Sequence, residues 1–473
     1  MVRFIELFKP LGRYSFEISP PTRRVAFNEK LFWTAMVLII FFVMSEIPLF
    51  GLGKGGASDP FGALRVIFAS KRGTLMELGI GPIVTAGLIL QILSGSKMIN
   101  VNMSDPADRA LFTTASKVLA VVMTLFEALA YMLGGVYGAI SYQTQLVILI
   151  QLLAAGIVVM MLDELLQKGW GFGSGISLFI AAGVAQTIWW DSFAPLGPMA
   201  DGRYYGAWIA FVQALQGGEG WLRALYRGGG LPDLVGFATT IIALLIIIYV
   251  NGLRVEVPVS YARYRGFRGK YPIKLLYVSN IPVIFAAALF GNVYFISQIL
   301  WARYNQAGSN FWLNLLGTFE LQGQQYQPKS GLVYYVISPQ NLTNVAHDPL
   351  RAVIYLALMI VACVFFATTW VQVGGMDART VAKQLLDSGM QIEGFRRSST
   401  PIQQLLSRYI PTVTVLGGII VALISSGADF LGAFGSGMGI LLTVGIIEQY
   451  YQILARERIQ EMYPAIGALL GKT

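Results

Sequence analysis

The stretch Pro232–Leu253, PDLVGFATTIIALLIIIYVNGL, carries no charge after Asp233 and is apolar almost throughout. Rising about 1.5 Å per residue as a helix, such a run crosses the roughly 30 Å of a bilayer's hydrocarbon core. Directly after it comes Glu256–Lys274, EVPVSYARYRGFRGKYPIK, a basic loop before the next apolar run. Counted from Arg254, it places Arg254, Arg263, Arg265, Arg268, Lys270 and Lys274 close together, in a chain that is only 12% charged. A second basic loop, Met376 to Arg408, carries Arg379, Lys383, Arg396, Arg397 and Arg408 between the next pair of apolar runs. Projecting basic arms add nothing to stability in a bilayer. They suit the capture of a polyanionic partner at the membrane surface.

The same alternation extends along the whole chain. With 473 residues, 55% of them hydrophobic, and a mean hydropathy of +0.62, this is a polytopic membrane protein. Membrane helices are expected near 30–50, 79–95, 110–135, 142–165, 176–191, 232–253, 278–303, 351–374, 410–428 and 436–455. The runs at 79–95 and 176–191 are short and preceded by Gly, which makes them the weakest of the ten. The stretch before Lys30 is polar and contains Pro, with no short apolar core and cleavage site, so no cleavable signal is expected. With the N-terminus inside, the inner segments hold more than twice the Lys and Arg of the outer ones, and both termini are cytoplasmic.

Cys363 is the one cysteine and lies inside an apolar run, so an internal disulfide is excluded. His347, the one histidine, lies in a loop beside Asp348. One His and one Cys cannot make the usual zinc site, nor do they suggest a Ser-His-Asp or Cys-His catalytic set. Most enzyme classes fall away on that ground.

Met1–Lys30 is basic and partly amphipathic through Phe4, Leu7 and Phe8, which fits a short helix on the inner surface. After the first span, Gly51–Pro60 (GLGKGGASDP) is a flexible connector. Phe61–Ser70 (FGALRVIFAS) is apolar but too short to cross, and Gly79–Ile92 follows almost at once. This reads as a short helix folded back from outside, then a half-length span. Irregular backbone at membrane depth is tolerated only where protein buries it or a cavity receives it, so region 61–92 should face an interior pathway. The outer segment 192–231 holds an amphipathic piece at Ala207–Leu215. The outer loop Tyr304–Asn344 is polar, with a formal glycosylation acceptor at Asn341-Leu342-Thr343.

Gly169–Gly175, GWGFGSG, looks like a dinucleotide loop but follows a membrane helix rather than a strand, so it reads as a tight inner turn. Gly53-Lys54-Gly55-Gly56 fails as a phosphate loop for the same reason. Among ionisable residues in or beside spans, Asp163 and Glu164 lie at an inner helix end near Lys168. Glu46, Glu77 and Asp429 lie near outer ends, where local pairing or solvation answers them. Glu127 is deeper and is the best functional candidate of the set. Four segments share a Gly or Pro break followed by branched aliphatics: Gly79–Gln91, Gly175–Ala182, Asn280–Ala287 and Ser436–Thr443. Ile80 and Val84 are spaced i, i+4, as are Ile176 and Ile180. Taken alone, these are ordinary core or lipid-facing residues.

The motifs GTLMELGIGPIVTAGLILQ (73–91), MLDELLQKGWGFGSGISLFIAAG (161–183), ARYRGFRGKYPIKLLYVSNIPVI (262–284) and FLGAFGSGMGILLTV (430–444) resemble the SecY family. This is the pore-forming alpha subunit of the protein-translocation channel. The likeness runs from about Phe27 to the C-terminus, and YVSNIPVIFAAALF and RERIQEMYPAIGALL look closest to the archaeal branch.

The resemblance implies an all-α membrane protein with ten helices in two pseudo-symmetric halves, 1–230 and 231–473, around a central pore. It implies a pore ring of Ile80, Val84, Ile176, Ile180, Ile284 and Leu442, where branched aliphatics close without wetting. It implies a plug at about 61–72, with Phe61, Leu64, Arg65, Val66, Ile67 and Phe68, agreeing with the folded-back helix read from the residues. The lateral gate would lie between the helices at 79–95 and 110–135 and those at 278–303 and 351–374, with Thr85, Glu127 and Asn292 as its polar cluster. Many eukaryotic members have Gln at the middle position, so Glu127 departs from them.

The basic loops, 254–275 and 375–408, become docking arms for the ribosome, with Arg263, Arg265 and Arg396 set against rRNA phosphates. Positive-inside topology would place Arg there as well. The implied partners are the SecE (gamma) and beta subunits, ribosomes, signal sequences, nascent polypeptides and membrane lipids. The implied setting is the plasma membrane, with no cofactor and no covalent chemistry. The competing reading is a secondary transporter of small solutes, which needs convergent polar groups at the midplane. The breaks here carry aliphatics instead. An intramembrane enzyme comes third, lacking a nucleophile–base or metal set.

Overall fold

A computed structural model describes residues 10, 17–51, 65, 68–95, 98, 99, 101, 105–133, 137, 141–199, 201–218, 224–227, 230–261, 268–278, 281–305, 308–322, 325–387, 390, 391 and 399–462. In chain order the elements are α1 (Phe27–Glu46), α2 (Gly81–Gly95), α3 (Pro106–Leu133), α4 (Tyr142–Leu165), α5 (Gly175–Phe193), α6 (Ala207–Gln216) and α7 (Leu234–Gly252). Then follow β1 (Arg254–Tyr261), β2 (Arg268–Lys274), α8 (Ile281–Tyr304), α9 (Phe311–Leu316), β3 (Thr318–Gln322), β4 (Gln325–Ser330), α10 (Leu332–Val336) and α11 (Leu342–His347). The chain closes with α12 (Pro349–Val373), α13 (Ala378–Asp387), β5 (Met390–Gln391), α14 (Ser399–Phe430) and α15 (Gly437–Met462). The amphipathic N-terminal stretch around Phe4 lies outside the described residues.

Among the described residues, 8 helices are long and apolar enough to cross a membrane. The expected spans 79–95 and 176–191 correspond to α2 and α5, which fall outside those 8. α7 shows why the long ones suit lipid. It buries Thr239, Thr240, Ala243, Ile247 and Val250 and exposes Ile242, Leu245, Ile248 and Tyr249. Exposed aliphatics of that kind cost nothing in hydrocarbon and would be costly in water. Its start is set by Asp233, whose carboxylate accepts the Gly236 N–H at 2.7 Å.

Two places differ from the sequence reading. Glu256–Lys274 is not simply a loop: β1 and β2 pair antiparallel from Arg254↔Lys274 to Ser260↔Arg268. Val255, Val257 and Val259 alternate along β1, and that period of two favours a strand over a coil. The outer loop 304–344 also carries structure, with α9, α10, α11 and the β3–β4 hairpin.

The turns before α5 and α15 repeat one tetrapeptide, Phe172-Gly173-Ser174-Gly175 and Phe434-Gly435-Ser436-Gly437. Each is served by a buried carboxylate from the preceding helix. Asp163 Oδ1 accepts the Ile176 N–H at 3.0 Å and the Ser174 hydroxyl at 2.9 Å. Asp429 Oδ1 accepts the Gly437 N–H at 2.6 Å. A negative group at a helix N-terminus satisfies donors that the helix cannot satisfy itself.

Tyr450 of α15 then ties the first turn to the last helix, its hydroxyl donating toward the carbonyls of Ser174 at 2.8 Å and Phe172 at 3.1 Å. Gly173 has φ +65, and a Cβ there would lie 2.9 Å from the Tyr450 ring. Gly173→Ala should therefore cost about 1–3 kcal/mol, from the left-handed backbone and the ring together. Thermal unfolding in detergent checks this. Adding Tyr450→Leu should relieve only the steric part, leaving the double variant less destabilised than the sum of the singles.

Candidate functional site

α2 is 15 residues long and reaches only about 22 Å, short of the hydrocarbon thickness. Protein has to complete the crossing, and residues 68–80 do so. The Ile80 N–H donates to the Phe68 carbonyl at 2.8 Å, Lys71 N–H to Met76 at 2.9 Å, and Ser70 N–H to Arg65 at 2.9 Å. Gly79, at φ +56, lies so close to Ser70 that a Cβ would come within 2.8 Å of the serine's own Cβ. Beneath this turn Arg65 Nη2 donates to Glu77 Oε1 at 2.8 Å, with the Glu77 side chain 0% exposed. The other Glu77 oxygen accepts the Gly73 N–H.

Pairing, not solvation, is thus what answers Glu77. Glu46 pairs with Lys71, and Asp429 with the start of α15. Nearer the other face, Glu164 binds Lys117 at 2.5 Å.

All six expected ring residues fall into one apolar cluster. Ile80, Val84, Ile180 and Leu442 are buried in it, and Ile176 and Ile284 pack against it partly exposed. Phe68 and Ala69 join the same cluster. Of the expected plug residues, Arg65 and Phe68 are described. Phe61, Leu64, Val66 and Ile67 lie outside the described residues.

The three expected polar residues also meet. Asn292 Nδ2 of α8 donates to Thr85 Oγ1 of α2 at 3.3 Å, and the Glu127 carboxyl of α3 hydrogen-bonds the same Thr85. They line a cavity of about 40 Å³ together with Glu77, Ser70 and Tyr131, enough room for water. Tyr131 follows Glu127 at i+4, so its place beside Glu127 was legible from helical spacing. Ser70 and the Arg65–Glu77 pair carried no such signal, because a turn of this shape has no period.

α2 packs against α8 and α12, while α5 packs against α15, so early and late helices of the chain meet along two seams. The seam at α2 holds the polar trio.

The two basic loops, far apart in sequence, share one sheet ordered β2-β1-β5, with Ser260↔Gln391 and Tyr261↔Met390 in register. Below it Val257, Ile273, Val381, Leu385, Ile402 and Leu406 form a small core of their own. Lys270 pairs with Glu256 across the hairpin, and that hydrogen bond holds the Glu256 carboxyl below its ordinary range. Arg263, Arg265 and Arg396 lie outside the described residues.

Residues 74–451 match the family SecY, and residues 39–73 match the family described as the plug domain of Sec61p. The chain belongs to the SecY family. A relative from Dictyostelium discoideum, the protein transport protein Sec61 subunit alpha, is 43% identical over 99% of both chains. A solved structure described as a protein conducting channel superposes with a TM-score of 0.82 at 37% identity, covering 97% of this chain and 99% of that one. Sec61 in the canine ribosome-channel complex from the endoplasmic reticulum gives a TM-score of 0.79 at 37% identity, with the same coverage. The SecY family is one of protein-conducting channels, non-enzymatic transport subunits, so the solute-transporter and enzyme readings are set aside.

Within this SecY-family fold, breaking the Arg65–Glu77 pair from one side should be worse than removing it. Arg65→Ala strands a buried carboxylate and should cost about 3 kcal/mol or more, whereas Arg65→Leu with Glu77→Leu should recover much of that. The rate of maleimide labelling at Ser70→Cys reads the loosening of residues 68–80, against a native Cys363 that is fully buried.

Proposed function

We infer that this chain is the central subunit of a protein-conducting channel, and that the cluster of six aliphatics at four helix starts is its constriction. The presence of Ile80, Val84, Ile176, Ile180, Ile284 and Leu442 in the main apolar core, at or near the starts of α2, α5, α8 and α15, supports the reading. Branched aliphatics in such a ring yield around a passing polypeptide and close dry behind it, which bars ions. Residues 61–72 act as the plug, held at rest by Arg65 on Glu77 and by Phe68 within the apolar cluster. The seam of α2 and α3 against α8 and α12 is the lateral exit into lipid. Its polar contacts, through Thr85, Glu127 and Asn292, are worth roughly 1 kcal/mol each, which suits a gate that must open for an apolar signal.

Residues 1–230 and 231–473 form two halves. The twice-used Phe-Gly-Ser-Gly turn with its carboxylate cap supports that division. The basic arms receive the ribosome through Arg263, Arg265 and Arg396, and elongation of the nascent chain supplies the driving force. SecE (gamma) and beta subunits complete the complex, with both termini in the cytoplasm. The plasma membrane follows from the archaeal-like motifs. The endoplasmic reticulum is the second reading, favoured by the canine relative's source.

A photo-crosslinker at Ile284, with a stalled ribosome carrying a nascent chain, tests the constriction. A crosslink that needs a functional signal sequence is expected; none, beside saturable uptake of a small solute, would return the transporter reading. Reversing Arg263 and Arg396 to Glu should weaken ribosome binding and flatten its salt dependence, each lost phosphate contact lowering the slope by about one. Unchanged affinity in a co-sedimentation titration would remove the arms from docking.

A further inference from the structure

The end of α8 away from the basic hairpin carries an apolar surface that neither the constriction nor the gate uses. The span ends at Tyr304, and Asn305, buried, begins a tight asparagine network. Asn305 Nδ2 donates to Asn314 Oδ1 at 2.7 Å, and its Oδ1 accepts the Asn310 N–H at 2.9 Å. Asn314 Nδ2 donates to the Gly308 carbonyl at 2.8 Å, and Asn310 caps α9 by accepting the Trp312 N–H at 3.1 Å. These bonds hold α9 within a side chain's length of the last turn of α8.

The aromatics around it divide sharply. Phe319, just after α9, is buried against Tyr294 and Trp301 of α8, at ring distances of 5.7 and 5.5 Å. Phe311, Trp312 and Leu315 face outward at 71%, 74% and 59% exposure, with the first two rings edge to face at 5.9 Å. In water that arrangement would be unfavourable, and the network keeps the three from folding inward. The level of a span's end is where Trp and other amphipathic aromatics are most stable, among lipid headgroups. Arg303, exposed one residue before Tyr304, offers a guanidinium at the same depth for a lipid phosphate.

We propose that Phe311, Trp312 and Leu315 are an interfacial anchor that seats the end of α8 in the lipid headgroup layer. Because α8 also carries Asn292 and Ile284, the anchor fixes the depth at which a gate helix moves. The occupant is the lipid interface itself. A covering protein and open water are the outcomes that would refute it. The proposal concerns seating in the membrane and stands whether or not the ring and docking assignments hold.

The test uses the full chain in lipid nanodiscs with Leu315→Cys carrying a nitrobenzoxadiazole dye; native Cys363 is fully buried and does not compete for label. Headgroup-spin-labelled phosphatidylcholine should quench the dye at least about twofold more than lipid labelled deep in the acyl chain, with iodide a weak quencher. The same label at Trp312→Cys guards against a local effect of one substitution and should give the same order. Strong iodide quenching with no effect of either lipid would place α9 in water. Shielding from all three quenchers would mean that protein covers it. Either result overturns the anchor.

Discussion

A helix of 15 residues cannot cross a bilayer alone, and the arrangement around α2 follows from that shortfall. Backbone at membrane depth must be satisfied by protein, so residues 68–80 close on themselves, and a buried Arg65–Glu77 pair locks the turn beneath. The same shortness puts the start of α2, with Ile80 and Val84, in the interior rather than at a surface. It also brings Phe68 into contact with the apolar cluster and Ser70 into the polar cavity, so one turn touches both the apolar core and the seam. A buried ion pair is a poor source of stability but a sharp device for position, since either charge alone is strongly unfavourable.

The helix starts of α5 and α15 are handled by a repeated solution. α5 and α15 open on Phe-Gly-Ser-Gly, with Asp163 and Asp429 answering the first free N–H groups. The two seams are unlike each other. Tyr450 rests on the carbonyls of the α4–α5 turn at one, and Thr85, Asn292 and Glu127 meet at the other. A ring hydroxyl locked to two carbonyls resists sliding, whereas a few polar contacts around a small cavity part at low cost.

On the basic face, the chain joins two loops that are more than a hundred residues apart. A third strand, β5, extends the β1–β2 hairpin, and a small apolar core below ties β1 and β2 to α12, α13 and α14. Basic side chains on separate flexible loops would lose much of their attraction for a polyanion to ordering entropy. A shared stem removes part of that loss before any partner arrives.

The sequence by itself determined the solvent, the helices and the chemistry excluded. Long uncharged runs have one stable setting, and a single Cys and a single His leave little room for catalysis. It also marked α2 as a short span, since Gly breaks and length are local properties, whereas α5 is as long as α7. Expecting six aliphatics to share one interior cluster, and Thr85, Glu127 and Asn292 one seam, needed the family motifs, because a residue's own periodicity says nothing of which distant helix it faces. Only the tertiary structure decided that Arg65 answers Glu77, that β5 joins the two basic arms, and that Tyr450 holds the α4–α5 turn. Each of these joins groups with no common period across turns of irregular backbone. What selects them is the requirement that every buried charge and N–H find a partner, and that requirement can be met only once the helices are packed.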